Sequence, residues 1–140
     1  MTSSDPEPLL VEQRIEDGED LFVRRVTTDG SIWSRSSLMR PDEEGWPAET
    51  GMPEWEQEGV VPADALERLR AAIDRSGFFA LPGELEPDGA VFGAPEHVWT
   101  AVLDDRTHTV RVRAAGVTRA PAIDALSEAV VDAMAAADDR

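Results

Sequence analysis

The sequence predicts an α+β domain: an antiparallel sheet of about five strands, in the order β-β-β-α-β-β-α, with both helices packed on one face. Several short segments alternate apolar and polar residues, which is the pattern of half-buried strands. Two longer segments repeat apolar residues every three or four positions, which is the pattern of amphipathic helices. With 140 residues, 41% of them hydrophobic, the chain can build one core but is short for two domains.

The first three strands form a predicted meander over residues 9–38. Apolar and polar residues alternate over residues 9–15, and a second strand is predicted over residues 21–28. Asp29-Gly30 indicates a type I′ hairpin turn, which needs positive φ at both central residues. The third strand then follows over residues 32–38.

A symmetric turn at Asp29-Gly30 places Val26 opposite Trp33 and Arg24 opposite Arg35. Two directly opposed arginines repel each other. Either a carboxylate lies between them, a bulge shifts the register, or the row lies at an open end of the sheet. Arg24 and Arg35 are therefore a candidate polar site.

Residues 39–61 form a long acidic loop in this prediction. The segment contains seven acidic residues, one arginine, three prolines and three glycines, and it shows no helical or strand period. Connections of this length are usually functional or disordered. Trp46 and Trp55 either pin the loop onto the domain or present an apolar anchor to a partner.

Two helices are predicted. The first begins at Pro62, which suits a first helical position, and ends at Gly77. Its apolar stripe consists of Leu66, Leu69 and Ile73. The second helix runs from Pro121 to about Ala136. Its apolar stripe consists of Ile123, Leu126, Val130, Ala133 and Met134.

A hairpin lies between the two helices. Its strands cover residues 97–103 and 108–114, joined by a predicted four-residue turn at 104–107. This turn places Trp99 opposite Val112 and makes one face of the hairpin almost wholly apolar, as a core-facing sheet requires.

The ordered unit is predicted to be a single domain over residues 9–137. Residues 1–8 are polar, contain two prolines and are expected to be disordered. Residues 138–140 are expected to fray, because Asp138 and Asp139 carry negative charge at the negative end of a helix dipole.

The charge balance excludes several classes of partner. The formal net charge is −16, from 29 acidic and 13 basic residues. Such acidity disfavours nucleic acid and anionic lipid, which both require basic surfaces. It is compatible with a basic protein partner, a bound cation, life in high salt, or solubility alone.

The residue types that the chain lacks also constrain its function. Cysteine is absent, which excludes disulfides, thiolate metal sites and a cysteine nucleophile. Lysine, asparagine and tyrosine are absent too, which indicates a GC-rich bacterial genome. No run of apolar residues is long enough to span a membrane and the N-terminus does not match a signal peptide, so we expect a cytoplasmic protein.

The residues suited to catalysis are few. His97 and His108 share the inward face of the second hairpin but lie six residue pairs apart in the predicted register. At about 3.3 Å per residue that is roughly 20 Å, too far for a shared metal. No nucleophile elbow, paired-histidine zinc motif or phosphate-binding glycine loop is present. The sequence therefore predicts no catalytic residues, no metal and no cofactor.

The second half of the chain resembles the emfourin-like proteins. The matching residues are Leu66-Glu67-Arg68-Leu69, Ile73 and Ser76-Gly77-Phe78-Phe79-Ala80-Leu81-Pro82, followed by a hairpin and a terminal helix. The resemblance covers about residues 60–137, while the glycine-rich segment expected near the start of that family is missing. It implies a small α+β fold and, because some members inhibit thermolysin-type zinc proteases, an inhibitory role.

The predicted core combines the apolar faces of these elements. It consists of Val11, Ile15, Phe22, Val26, Trp33, Leu66, Leu69, Ile73, Phe78, Phe79, Trp99, Val110, Val112, Leu126 and Val130. Replacing Phe79 or Trp99 with alanine should cost about 3–5 kcal/mol if each side chain is buried.

The leading functional hypothesis is a non-catalytic acidic protein that binds a protein partner, expected to be basic, and acts as an inhibitor of a protease or of another enzyme. The acidic loop would supply a tryptophan anchor and carboxylates that steer a basic surface. The predicted partner-binding residues are Trp46, Trp55, Glu43, Glu44, Glu54 and Glu56. Two alternatives are a small hydrolase or ligand-binding domain using His97 or His108, and a subunit of a larger assembly.

Overall fold

The computed structural model describes residues 6–17, 20–37, 40–41, 47–48, 55–86, 95–114 and 120–139. Within these residues the chain forms ten strands and two α-helices. In order they are β1 (Leu9–Asp17), β2 (Asp20–Thr27), β3 (Ser31–Ser37), β4 (Arg40–Pro41), β5 (Pro47–Ala48), β6 (Glu56–Val60), α1 (Ala63–Arg75), β7 (Glu84–Leu85), β8 (Glu96–Leu103), β9 (Arg106–Val112), α2 (Pro121–Ala135) and β10 (Asp138–Asp139). A 3-10 turn, Phe78–Ala80, follows α1.

Eight of the described strands form one mixed sheet in the order β10-β6-β3-β2-β1-β8-β9-β7. Its neighbouring strands are antiparallel except for β7, which runs parallel to β9. β4 and β5 pair with each other separately. The predicted α+β class is confirmed, and the five predicted strands correspond to β1, β2, β3, β8 and β9. The sheet is larger than predicted because short strands are added at both ends.

The largest addition is β6, which lies inside the predicted acidic loop and pairs with β3. Glu56, Gln57 and Glu58 are exposed, and Gly59 is the buried residue of this strand. A polar strand near a sheet edge buries too few side chains to show an apolar alternation, so periodicity could not indicate it.

The hairpin between β2 and β3 has a three-residue loop instead of the predicted type I′ turn. The amide of Gly30 donates to the carbonyl oxygen of Thr27 at 2.9 Å, and Gly30 has φ +92°. Asp29 does not take a positive φ, so the turn is a type I turn followed by a left-handed glycine. The Asp29 carboxylate accepts hydrogen bonds from the Thr27 hydroxyl at 2.6 Å and the Ser31 amide at 3.0 Å. These bonds lower the pKa of Asp29, and the bond from the Thr27 hydroxyl has the largest effect.

This loop shifts the register by one residue. Val26 lies opposite Ile32 rather than Trp33, and Arg24 lies opposite Ser34 rather than Arg35. Because side chains alternate between faces along a strand, a one-residue shift moves the whole of β3 to the other face. Trp33 and Arg35 therefore face away from the side on which Val26 and Arg24 lie.

The hairpin between β8 and β9 closes with two residues, Asp104 and Asp105, instead of four. Trp99 accordingly lies opposite Val110. A two-residue shift keeps every side chain on its predicted face. His97 and His108 thus stay on the same face, but four residue pairs separate them instead of six, or about 13 Å at 3.3 Å per residue.

One core joins the two helices to one face of the sheet, here called the inner face. Helix α1 buries Ala65, Leu66, Leu69 and Ile73. Helix α2 buries Ile123, Leu126, Val130 and Ala133. The inner face contributes Val11, Val26, Ile32, Trp99, Ala101, Leu103, Val110 and Val112 to the same cluster.

Four predicted core residues are only partly buried. Ile15, Phe22 and Trp33 lie outside the main cluster, and Phe79 packs against its margin. Trp33 is excluded by the register shift, which directs it to the other face. The prediction for the remaining eleven core residues is confirmed.

Backbone hydrogen bonds are present at both described chain ends. The carbonyl oxygen of Pro6 accepts a hydrogen bond from Arg25 at 3.0 Å, and that of Pro8 accepts one from the Thr28 amide at 2.9 Å. Residues 1–5 lie outside the described residues. At the other end, Asp138–Asp139 pair with β6. Of the helices that the structure describes, none has the length and apolar character needed to cross a membrane.

Candidate functional site

The outer face of the sheet, which is the face turned away from the helices, carries a row of arginines. Arg111, Val98, Arg14, Val23 and Arg35 lie side by side on β9, β8, β1, β2 and β3. Two strand spacings separate successive arginines, which is about 10 Å. The sequence did not indicate this row, because it is visible only when the registers of five strands are known.

Trp55 packs onto the β3 end of this row. Its ring centroid lies 4.4 Å from the guanidinium carbon of Arg35 and 5.4 Å from that of Arg25. Arg25 also donates to the carboxylate of Glu12, and the side chains of this ion pair are only 11% and 13% exposed. A guanidinium over an indole face is a favourable cation–π contact. Trp55, the residue of the acidic loop just before β6, is therefore fixed on the outer face. Trp46 lies outside the described residues.

Replacing Trp55 with leucine should lower the free energy of unfolding by about 1–2 kcal/mol, because two partly desolvated cation–π contacts are lost. Urea denaturation measures this change. The Trp55→Phe variant is the control, since it keeps an aromatic face and should retain most of the stability. Equal stability of the wild type and the leucine variant would show that the stacking contributes nothing.

The structure does not bring Arg24 and Arg35 together. Arg24 lies on the inner face, donates to Glu58 at 3.2 Å and stacks over Phe22 at 4.9 Å. Arg35 lies on the outer face against Trp55. The three-residue loop between β2 and β3 is the cause, because it sets the register that separates them.

The predicted carboxylates are described only in part. Glu56 is exposed on β6, directly after Trp55. Glu43, Glu44 and Glu54 lie outside the described residues. The described part of the predicted partner surface is thus a short acidic strand that follows an anchored tryptophan.

The other end of the outer face is an ion-pair network. Arg111 donates to Glu96 and, at 3.2 Å, to Glu16. Arg113 donates to Glu84 and, at 3.0 Å, to Glu96. The hydrogen bond with Glu96 raises the pKa of Arg111, and the bond from Arg113 lowers the pKa of Glu84. These carboxylates are neutralised by the chain's own arginines.

His108 has a structural role. Its Nε2 lies 2.7 Å from the carbonyl oxygen of Leu81, and because a carbonyl only accepts, the ring nitrogen is the donor. The imidazole also meets the fully buried Phe78 edge-on, with centroids 5.4 Å apart. His108 therefore fastens the segment after α1 to β9.

His97 lies on the inner face, in the row that contains Ile15 and Val112, and is half-buried. Burial alone lowers the pKa of its imidazole from the ordinary value of 6.5. Among residues 6–139, apart from the gaps in the described ranges, no three side chains of types that bind metals are grouped closely enough to hold an ion.

The lowered pKa of His97 predicts a pH dependence of stability. The His97 imidazole binds a proton more readily in the unfolded state than in the folded state. The free energy of unfolding is therefore highest above about pH 6.5 and decreases as the pH falls toward the pKa of His97 in the folded state. Urea denaturation between about pH 7.5 and about pH 5.5 should therefore show a larger loss for the wild type than for the His97→Gln variant. An equal loss of unfolding free energy in the two proteins over this pH range would contradict the lowered pKa of His97.

Neither histidine lines either of two clefts that described residues form. One, of about 250 Å³, lies between α1 and α2 and is lined mainly by alanines, with Arg68, Arg75 and Asp132 among its charged residues. The other, of about 360 Å³, lies between the start of β1 and the end of β8, with Arg70 and Asp104 as its charged residues.

Comparison with known proteins adds no relative to this description: no protein-family model matches the sequence, and no curated protein matches it. The resemblance to emfourin-like proteins therefore stays a prediction that depends on the residues quoted for it.

Proposed function

We propose that this chain is a non-catalytic acidic binding protein that captures a basic protein partner. The observation that carries the proposal is the stacking of Trp55 on Arg35 and Arg25, at 4.4 and 5.4 Å. This contact fixes Trp55 in the acidic loop and, with it, the start of β6. Carboxylates held on an ordered strand lose little conformational entropy when a partner binds, which favours affinity.

The charge distribution supports a basic partner. The chain carries a net charge of −16, and a field of this strength accelerates encounters with cationic proteins. Several described arginines pair with the chain's own carboxylates, such as Arg111 with Glu96 and Arg113 with Glu84. Glu56, by contrast, is exposed and forms no ion pair with another described residue.

An inhibitor of an enzyme is one form of this function. The resemblance to emfourin-like proteins makes thermolysin-type zinc proteases the first enzymes to assay, and a cationic enzyme masked by its acidic partner is the broader class. Catalysis through His108 is disfavoured by the hydrogen bond that its Nε2 makes with Leu81.

The proposal is tested by capturing partners from the native cytoplasm with two variants of equal net charge. The first removes the loop carboxylates through Glu43→Gln, Glu44→Gln, Glu54→Gln and Glu56→Gln. The second, the matched control, removes exposed carboxylates elsewhere through Asp105→Asn, Asp124→Asn, Glu128→Gln and Asp132→Asn. Capture should fall at least about tenfold in the first variant only, and it should weaken as ionic strength rises from about 0.05 to about 0.5 M.

Three results would contradict the proposal. Capture that survives in the loop variant would show that the acidic segment only packs on the domain. Equal losses in both variants would show attraction by net charge without a site. A small molecule or metal bound at His97, or a stable larger assembly on sizing chromatography, would favour the alternative functions.

A further inference from the structure

Among the described residues, strand β6 is only partly paired along one edge. On one side it pairs with β3, from Ser34 opposite Glu56 to Ser31 opposite Val60, with a bulge at Glu58. On the other side β10 pairs only with Gly59 and Val60. Within the part of the chain that the structure describes, no strand pairs with Glu56–Glu58 on that side. Unpaired backbone groups along a strand edge are a template for an added strand.

The side chains at this edge select against a second copy of the chain. Glu56, Gln57 and Glu58 are all exposed, so two copies paired through this edge would bring carboxylates against carboxylates. Each copy also carries a charge of −16. A segment with lysine or arginine at alternate positions would instead place its cations beside these carboxylates.

The opposite edge of the sheet lacks this property. Its last strand, β7, carries Glu84, which pairs with Arg113 of the same chain. Glu86, just beyond β7, is 3.7 Å from the same arginine. The carboxylates at that edge are therefore partly neutralised, whereas Glu56 has no described cation beside it. The β6 edge differs from the β7 edge through Glu56 alone, because Glu58 is already paired with Arg24.

The β6 edge is also preorganised before a partner binds. Trp55 holds its start through Arg35, at 4.4 Å, and Glu58 holds its middle through Arg24, at 3.2 Å. The amide of Val61, just after β6, donates to the carbonyl oxygen of Gly30 at 2.8 Å. A strand fixed at three points needs little further ordering when a partner pairs with it.

We propose that the open edge of Glu56–Glu58 accepts an extended basic segment of the partner as an added antiparallel or parallel strand. Backbone hydrogen bonds supply affinity in this mode of recognition, and side chains at alternate positions supply specificity. The inference rests on the proposed function, because it names the structural form in which the basic partner is bound.

The test uses three synthetic peptides of equal length: alternating lysine and valine, the same peptide N-methylated at alternate backbone positions, and alternating glutamate and valine. Backbone N-methylation removes hydrogen-bond donors while it keeps the charge. The unmodified lysine peptide should slow amide hydrogen exchange at Glu56–Glu58, and N-methylation should weaken its binding at least about tenfold. The glutamate peptide should not bind.

A pair of single-charge variants completes the test. Glu56→Gln should weaken binding of the lysine peptide, whereas Glu128→Gln, which removes an exposed carboxylate from α2, should not. Equal binding of the methylated peptide, or unchanged exchange at Glu56–Glu58, would overturn the strand-addition inference. A dimer protected at these same amides would overturn the choice of a basic partner for this edge.

The two proposals fail in different ways. If the native partner is lost only from the loop-carboxylate variant but exchange at Glu56–Glu58 does not change when it binds, the proposed function stands and strand addition is wrong. If the lysine peptide adds to β6 while native capture does not depend on the loop carboxylates, the edge accepts basic strands but the proposed function is wrong.

Discussion

Replacing Gly30 with alanine is expected to destabilise the protein more than any other glycine-to-alanine change at a described position. Gly30 has φ +92°, a conformation that side-chain-bearing residues rarely adopt. A Cβ atom there would lie 2.6 Å from the carbonyl oxygen of Val61. Because this neighbour is backbone, the clash can be relieved only by moving the hairpin away from the segment between β6 and α1.

Two costs add in the Gly30→Ala variant. The left-handed conformation costs roughly 1–2 kcal/mol and overpacking about 1–3 kcal/mol, so the free energy of unfolding should fall by about 2–5 kcal/mol. The displacement also strains the hydrogen bond from the Val61 amide to the Gly30 carbonyl, now 2.8 Å long. Urea denaturation, with the slope compared between the two proteins, gives the size of the loss.

Gly77 provides the matched control. Its φ of +87° is almost the same, but a Cβ atom there would meet only the Cβ of Ala122 at 3.7 Å, an ordinary contact. Gly77→Ala should therefore cost only the conformational part, about 1–2 kcal/mol. Equal stability of the two variants would contradict the close packing of the hairpin tip against Val61.

Replacing Trp99 with alanine should lower the free energy of unfolding by about 3–5 kcal/mol. Trp99 is 1% exposed and is among the largest fully buried side chains of the described core. It lies on β8 between Gln13 and Val110, at the centre of the inner face. Truncation would leave a cavity that the surrounding strands cannot close without breaking their pairing. Thermal and urea unfolding both measure the loss.

The Trp99→Phe variant measures how much of this loss comes from the missing ring. The indole Nε1 is buried and has no hydrogen-bond partner among the described residues. An unsatisfied buried donor costs about 1–3 kcal/mol, and phenylalanine removes the donor while it keeps most of the ring. This variant should lose less than half of what the alanine variant loses. Equal losses would mean that phenylalanine recovers none of the packing that alanine loses.

Local sequence patterns were sufficient for the main elements of the fold. Which face of an element is buried determines the spacing of its apolar residues, so the local sequence reveals that spacing directly. This spacing indicated the strands β1, β2, β3, β8 and β9 and the helices α1 and α2. The register between β2 and β3 was wrong by one residue. The dipeptide Asp29-Gly30 is compatible with both a two-residue and a three-residue loop, and the choice depends on the contact of Gly30 with Val61.

The candidate site was less accessible to sequence reasoning. Trp55 was predicted either to pin the acidic loop onto the domain or to anchor a partner, but the arginines that it contacts, Arg25 and Arg35, lie on other strands and could be found only from the sheet register. The row from Arg111 to Arg35 likewise depends on the alignment of five strands. Strand β6 was missed because exposed polar residues carry no periodic signal when a strand has little to bury.

The pairing of β3 with β6 has a consequence for how this protein can change. These strands are sheet neighbours, yet the segment that joins them runs from residue 38 to residue 55. The entropy of closing a loop grows only logarithmically with its length, so doubling that connection would cost about 0.6 kcal/mol. Insertions that leave β4, β5 and Trp55 in place should barely alter the melting temperature, which makes the rest of this connection the place where new binding specificities can be selected without rebuilding the domain.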